Sequence, residues 1–394
     1  MVGPVLREQA GEPMHTSLVS SYLGRDGRCY LGITTKRRYV LRHGSRAEPT
    51  SEAAPIHREL EHARAADGAA GPLAHEADLI AGLKPATDVL LRGTAHSHRG
   101  PVPALSAALS VGSAAKVVQV WGDRRISLGQ GGAPAFSPSE RFTAMPLTWE
   151  RAYGGRDAYA EAKQPYAPAF GRDSPRSAAN VGALAYPRNA HGCGFFLDLD
   201  RERIEGTAAP NLDDPADPVR PDRMLVSDEL DWIDCPVATC FEPIDVFTFP
   251  RALFFIPAAF HTPKRPIQEV TSGLLTQTDL ARMDRFDGTM HPRAFNCAPA
   301  GLANHRLYGG ERVKLWNLHR ERELFELDLA GDRPRLTVEP PGVGPRDMEP
   351  LLQTVLIEPE IDRVTLVWAG AIEVAAVYPA EMTNAMRHSV RWSR

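Results

Sequence analysis

The chain has 394 residues, 43% of them hydrophobic, a net charge of −4 and a pI near 6.4, enough for two or three packed domains and without general attraction to nucleic acid or anionic membrane. Cys29, Cys193, Cys235, Cys240 and Cys297 are odd in number and form no C-x-x-C pair, which argues against a disulfide framework or a zinc site. No apolar run reaches the roughly 18 residues of a membrane helix, and Met1 to His15 lacks the basic and apolar regions of a secretory leader, so a cytoplasmic protein is expected.

In chain order, Ser51 to Asp67 reads as a solvated helix or a loose loop, because Leu60 is its only large apolar residue after Ile56. Strand alternation follows at Asp88 to Ala95, Leu105 to Val111 and Ala115 to Trp121, with Gly112 and Ser113 reversing the chain between the last two. Arg156 to Ala179 and Gly206 to Asp222 are polar, proline-bearing loops of unusual length. Thr276 to Met283 offers one or two helical turns capped by Thr276 or Thr278. Strands return at Thr354 to Glu358, Arg363 to Ala369 and Ala371 to Tyr378, with Pro359 and Gly370 as breaks and Val364, Leu366 and Trp368 on one face. The expectation is a mainly β protein, antiparallel sheets in a sandwich or barrel-like arrangement with short helices and long loops. A division into units 1–222 and 223–394, cut between Pro210 and Ile244, stands beside a single continuous domain.

Three segments mix residues that fix the backbone with polar side chains that need partners: PLTWERAYGG (Pro146 to Gly155), AYPRNAHGCGF (Ala185 to Phe195) and RAFNCAPAG (Arg293 to Gly301). Gly154 and Gly155 permit positive φ, Pro187 fixes its own φ, and Arg188 and Asn189 supply directional donors. Glu150 and Arg151 form either a catalytic pair or, as favoured here, a structural fork packed over Trp149 and Tyr153.

Other chemistry is incomplete. His96 and His98 would face one way on a strand and supply two metal ligands, but a third is missing nearby. Asp231, Asp234, Glu242 and Asp245 lack any spacing that fixes a carboxylate pair. Cys193 and Cys297 have no activating constellation, and LGQGGAP (Leu128 to Pro134) lacks the phosphate-binding lysine. No catalytic residue, cofactor or metal is expected.

The three segments, taken in order, resemble the bacterial family known as domain of unknown function 2169, whose motifs read P-x-T-x-E-R-A-Y/F-G-G and Y/F-P-x-N-P-x-G-x-G-F/Y. The likeness extends through GLKPATDVLLRGTA (Gly82 to Ala95), PNLDDPADPV (Pro210 to Val219), LYGGERVKLWNLH (Leu307 to His319) and VTLVWAGAIEV (Val364 to Val374). The chain departs from the pattern at Ala190, where proline is usual, and at Gly301 and Leu302, where an acidic residue and glutamine are usual. The resemblance implies a non-enzymatic adaptor or chaperone encoded with a type VI secretion system. It would bind a secreted effector, often one with a PAAR-like domain, and load it onto the trimeric spike. The alternatives are a hydrolase from the same gene cluster and a structural spike or baseplate accessory. The expected partner-binding residues are Tyr153, Arg188, Asn189 and Asn296; Glu150, Arg151, Gly154, Gly155 and Pro187 are expected to shape the motif.

Overall fold

The computed structural model describes residues 14–24, 26–64, 70–78, 82–129, 132–157, 185–197, 204–226, 235–246, 248–249, 251, 295–303 and 305–393. Thirteen strands carry the architecture: β1 (His15–Leu23), β2 (Cys29–Val40), β3 (Asp88–Leu91), β4 (Ala104–Val111), β5 (Ala114–Trp121), β6 (Leu212–Asp213), β7 (Arg312–His319), β8 (Arg322–Asp328), β9 (Arg333–Val338), β10 (Arg346–Met348), β11 (Leu351–Glu358), β12 (Arg363–Val374) and β13 (His388–Ser393). One sheet runs β1-β2-β12-β11-β3, a second β6-β5-β4-β7-β8, and a third β10-β9-β13. Pairing within them is antiparallel except for β3 against β11. The protein is mainly β, and among the described residues its sheets form no closed barrel.

The first sheet is buried on both sides, which explains why Val364 to Gly370 is buried without alternation. One face, with Tyr39, Val89, Leu91, Val355, Ile357, Val364, Leu366 and Trp368, joins Leu109, Val118, Leu315 and Phe325 of the second sheet in a single core. Further along, Val19, Leu31 and Ile33 pack on Leu336, Val338 and Val390 of the third sheet. Both larger sheets draw strands from either side of position 222, so a cut there would part strands that hydrogen-bond to one another.

The hairpin of β4 and β5 turns at Gly112 as the sequence predicts. Two expectations need correction. β12 runs unbroken through Gly370, which lies beneath the third sheet; a Cβ there would sit 2.8 Å from the Glu349 carbonyl oxygen and 2.9 Å from Met348 Cβ. Glycine at this position permits close sheet packing rather than a turn. Of the two readings of Ser51 to Asp67, residues 51–60 follow the loop, and the correction concerns Glu61–Arg64, a strand paired with Ala70–His75. Gly206 to Asp222 is tied down by β6, where Leu212 opposes Val120 at the edge of the second sheet. Thr276 to Met283 and residues 158–179 lie outside the described residues.

Candidate functional site

The first two motifs fold into one knot. Tyr153–Gly154 pairs in parallel with Cys193–Gly194, and the Asn189 side chain ties the two segments together. Its Nδ2 donates to the carbonyls of Trp149 at 2.8 Å and Tyr153 at 3.2 Å, while its Oδ1 accepts from the His191 amide at 3.2 Å. The glycines make this approach feasible: at φ +104°, Gly155 would place a Cβ 2.4 Å from the Gly192 carbonyl oxygen. Around the knot, Tyr153 Oη donates to the Met224 carbonyl, Tyr186 Oη to that of Pro236, and Arg188 Nη1 to Tyr186 Oη. Arg151 Nη1 reaches Asn211 Oδ1 at 3.0 Å and Asp123 Oδ1 at 3.3 Å, with about a third of its side chain exposed. Arg151 lies on the knot's rim, held through Nη1, and its neighbour Glu150 is exposed.

The third motif docks on Asp88. That carboxylate, fully buried at the start of β3, accepts from Lys84 Nζ at 2.7 Å, Asn296 Nδ2 at 2.9 Å, the Ala298 amide at 3.0 Å and the Cys297 amide at 3.1 Å. Burial alone would raise its pKa; the Lys84 ammonium, followed by the hydrogen bonds, brings it below the ordinary carboxylate range.

The four residues expected at a partner interface are therefore structural. Tyr153 is 0% exposed, Asn296 1%, Asn189 3% and Arg188 7%, and they donate to loop carbonyls, the Asp88 carboxylate and the Tyr186 hydroxyl. Pro187 sits within the same turn, its carbonyl accepting from the Phe249 amide.

The other candidates are also placed. His96 Nε2 lies 2.9 Å from Glu360, and Asp245 lies 2.6 Å from His62. Among the described residues no group of three or more His, Cys, Asp or Glu side chains is arranged to hold a metal. Burial pushes the Cys193 thiol up to about 11 and the Cys297 thiol well above its ordinary value, so neither is a ready thiolate. The ends of LGQGGAP form a turn, the Gly129 amide donating to Ala133 between strands Ile126–Leu128 and Pro134–Phe136. Asp231 and Asp234 lie outside the described residues.

What sequence reasoning missed is the solvent face of the second sheet. Leu324 on β8 opposes Trp316 on β7, Trp316 opposes Ala108 on β4, and Ala108 opposes Val117 on β5. Directly opposed residues share a face, so these four make a continuous apolar row across four strands, spanning about 14 Å at ordinary strand spacing. Trp316 is 44% exposed and Val117 45%, whereas Leu315 and Val118 beside them point into the core. The strand is bulged immediately after Trp316, where Asn317 adopts φ +56° and its Nδ2 donates to the Ser106 carbonyl at 2.9 Å. Bulges of this kind re-aim a side chain. Lys314 and Arg312 pair with Glu326, and Ser106 bonds Gln119, giving the row a polar, charge-compensated rim. The signal was present in the alternation of RVKLWNLH, which puts Trp316 on the same face as Arg312 and Lys314.

A family model described as an uncharacterized protein conserved in bacteria, DUF2169, matches residues 26–369. The chain belongs to this family. The match takes in all three motifs, the Asp88 anchor and the apolar row. No curated protein and no solved structure matches the chain.

Proposed function

We propose that this family member is a non-enzymatic adaptor or chaperone that binds a type VI secretion effector, one with a PAAR-like domain, in the cytoplasm and promotes its loading onto the trimeric spike. The observation that carries the reading is the apolar row centred on Trp316 with its polar rim. Such a layout suits a protein interface: an aromatic anchor supplies energy, and surrounding polar groups exclude water and set register. Cross-strand pairing accounts for part of the row's value to the sheet, but Trp316 and Val117 still present nearly half their surface to solvent, where a partner can cover it. Covering an effector's apolar surface lowers its free energy until the spike competes for it, and no bond need be made or broken.

Co-expression with the effector encoded beside it, followed by size exclusion and intact-mass measurement, tests the proposal. A stable complex with unchanged effector mass supports it. Failure to bind effector or spike protein, together with turnover of a small substrate, would favour the hydrolase instead.

A further inference from the structure

The face of the first sheet turned away from the core is roofed by His57, residues 75–78 and residues 82–84, leaving a cleft with a cavity of about 50 Å³. Three cations line it, and two are matched by acids. Lys36 Nζ lies 2.8 Å from Asp78 Oδ2, and Lys84 Nζ lies 2.7 Å from Asp88 Oδ2. Glu76, also on the lining, is engaged by Arg251 at 2.6 Å. Arg92 is different. Directly after β3 and largely withdrawn from solvent, its guanidinium meets a ring nitrogen of His75 at 3.3 Å, and no carboxylate among the described residues stands within 4.0 Å.

His75 does not supply the missing charge. It stacks on His57 with ring centroids 4.0 Å apart, and burial followed by the Arg92 charge lowers its pKa to about 4. At neutral pH it is an uncharged acceptor that orients the guanidinium. Glu358 and Glu242 act on the Arg92 guanidinium only from beyond that distance, so its planar fork, which matches a carboxylate bidentately, is not engaged by either.

We propose that this cleft is a binding site for a carboxylate group, held by Arg92 against the hydroxyl-bearing floor of Thr34, Thr354 and Thr365. The cavity admits a few water molecules, or a carboxylate on a short aliphatic stem, and falls well below the 300–1,000 Å³ of a typical drug-sized ligand pocket. The carboxylate arrives on a small free acid or on an acidic side chain of a bound polypeptide; the recognition chemistry is the same. The site is independent of the Trp316 row, on a different sheet.

Calorimetric titration of the full chain with succinate, and separately with a blocked glutamate-containing peptide, tests the site, with sodium chloride at matched ionic strength as control. Wild-type protein is expected to bind at least one probe saturably at one site. Arg92→Met should weaken that binding at least tenfold, and Arg92→Lys by less. Succinate binding alone identifies a free acid, and peptide binding alone a docked side chain. Absence of binding by both probes, or affinity unchanged in Arg92→Met, overturns the proposal; the wild-type titration decides even if Arg92→Met does not fold.

Discussion

Asn296 and Asp88, 208 residues apart in sequence, meet at 2.9 Å in the interior, where the asparagine also donates to the Ala86 carbonyl at 2.9 Å. This contact fastens a loop to the parallel strand of the first sheet. Asp88→Ala would leave Lys84, Asn296 and two backbone amides without their acceptor, costing about 3–5 kcal/mol. Chemical denaturation should show that loss. Because the folded pKa of Asp88 is depressed, its stabilisation is present above the unfolded value of about 4 and is lost as pH falls below it.

Asn189 serves the motif knot in the same way. Asn189→Ala removes three hydrogen bonds from a buried junction and should lower stability by about 2–4 kcal/mol. Gly155→Ala should cost a similar amount, about 2–4 kcal/mol, through positive φ and the short approach to Gly192. Thermal melts check both. Arg151→Ala should cost only about 1 kcal/mol, since the guanidinium is partly solvated and Asp123 is exposed.

Glu242 provides a pH test. Burial and then the charge of Glu150 push its carboxyl up to about 7, and it accepts only a long hydrogen bond, 3.4 Å, from the Trp149 amide. Between about pH 4.5 and 7 the folded form holds a proton that the unfolded chain has lost, so this group's contribution to stability declines as pH rises. Glu242→Gln should therefore stabilise the protein at pH 8, on the order of 2–3 kcal/mol, and have little effect near pH 4. Equal melting-temperature changes at the two pH values would refute the linkage.

The parts of this fold legible in the sequence are those whose partners are local. The hairpin at Gly112 and the strands flanking Pro359 follow from alternation and a nearby break. β2 is not legible, because CYLGITTKRRYV carries three consecutive cations through a buried strand. Two of them are tolerated because Lys36 finds Asp78 and Arg37 finds Asp332, 42 and 295 residues away. Tyr153, Arg188 and Asn189 of the knot, and Asn296 beside Asp88, misled for the same reason: they look suited to an interface, but they donate within the fold, to backbone carbonyls, the Asp88 carboxylate and the Tyr186 hydroxyl. Trp316 escaped because its significance lies in the row it completes with Leu324, Ala108 and Val117, which only strand register reveals.

The adaptor reading stands most directly on the affinity of the neighbouring effector for wild-type protein against Trp316→Ala, measured by calorimetry after matched thermal melts. Trp316 is about half exposed and pairs with Leu324 and Ala108 across the strands, so the substitution should cost the fold only about 1 kcal/mol. Loss of a central aromatic anchor should weaken binding by about 2 kcal/mol or more, roughly thirtyfold. Undiminished affinity in a normally folded Trp316→Ala protein would contradict the account.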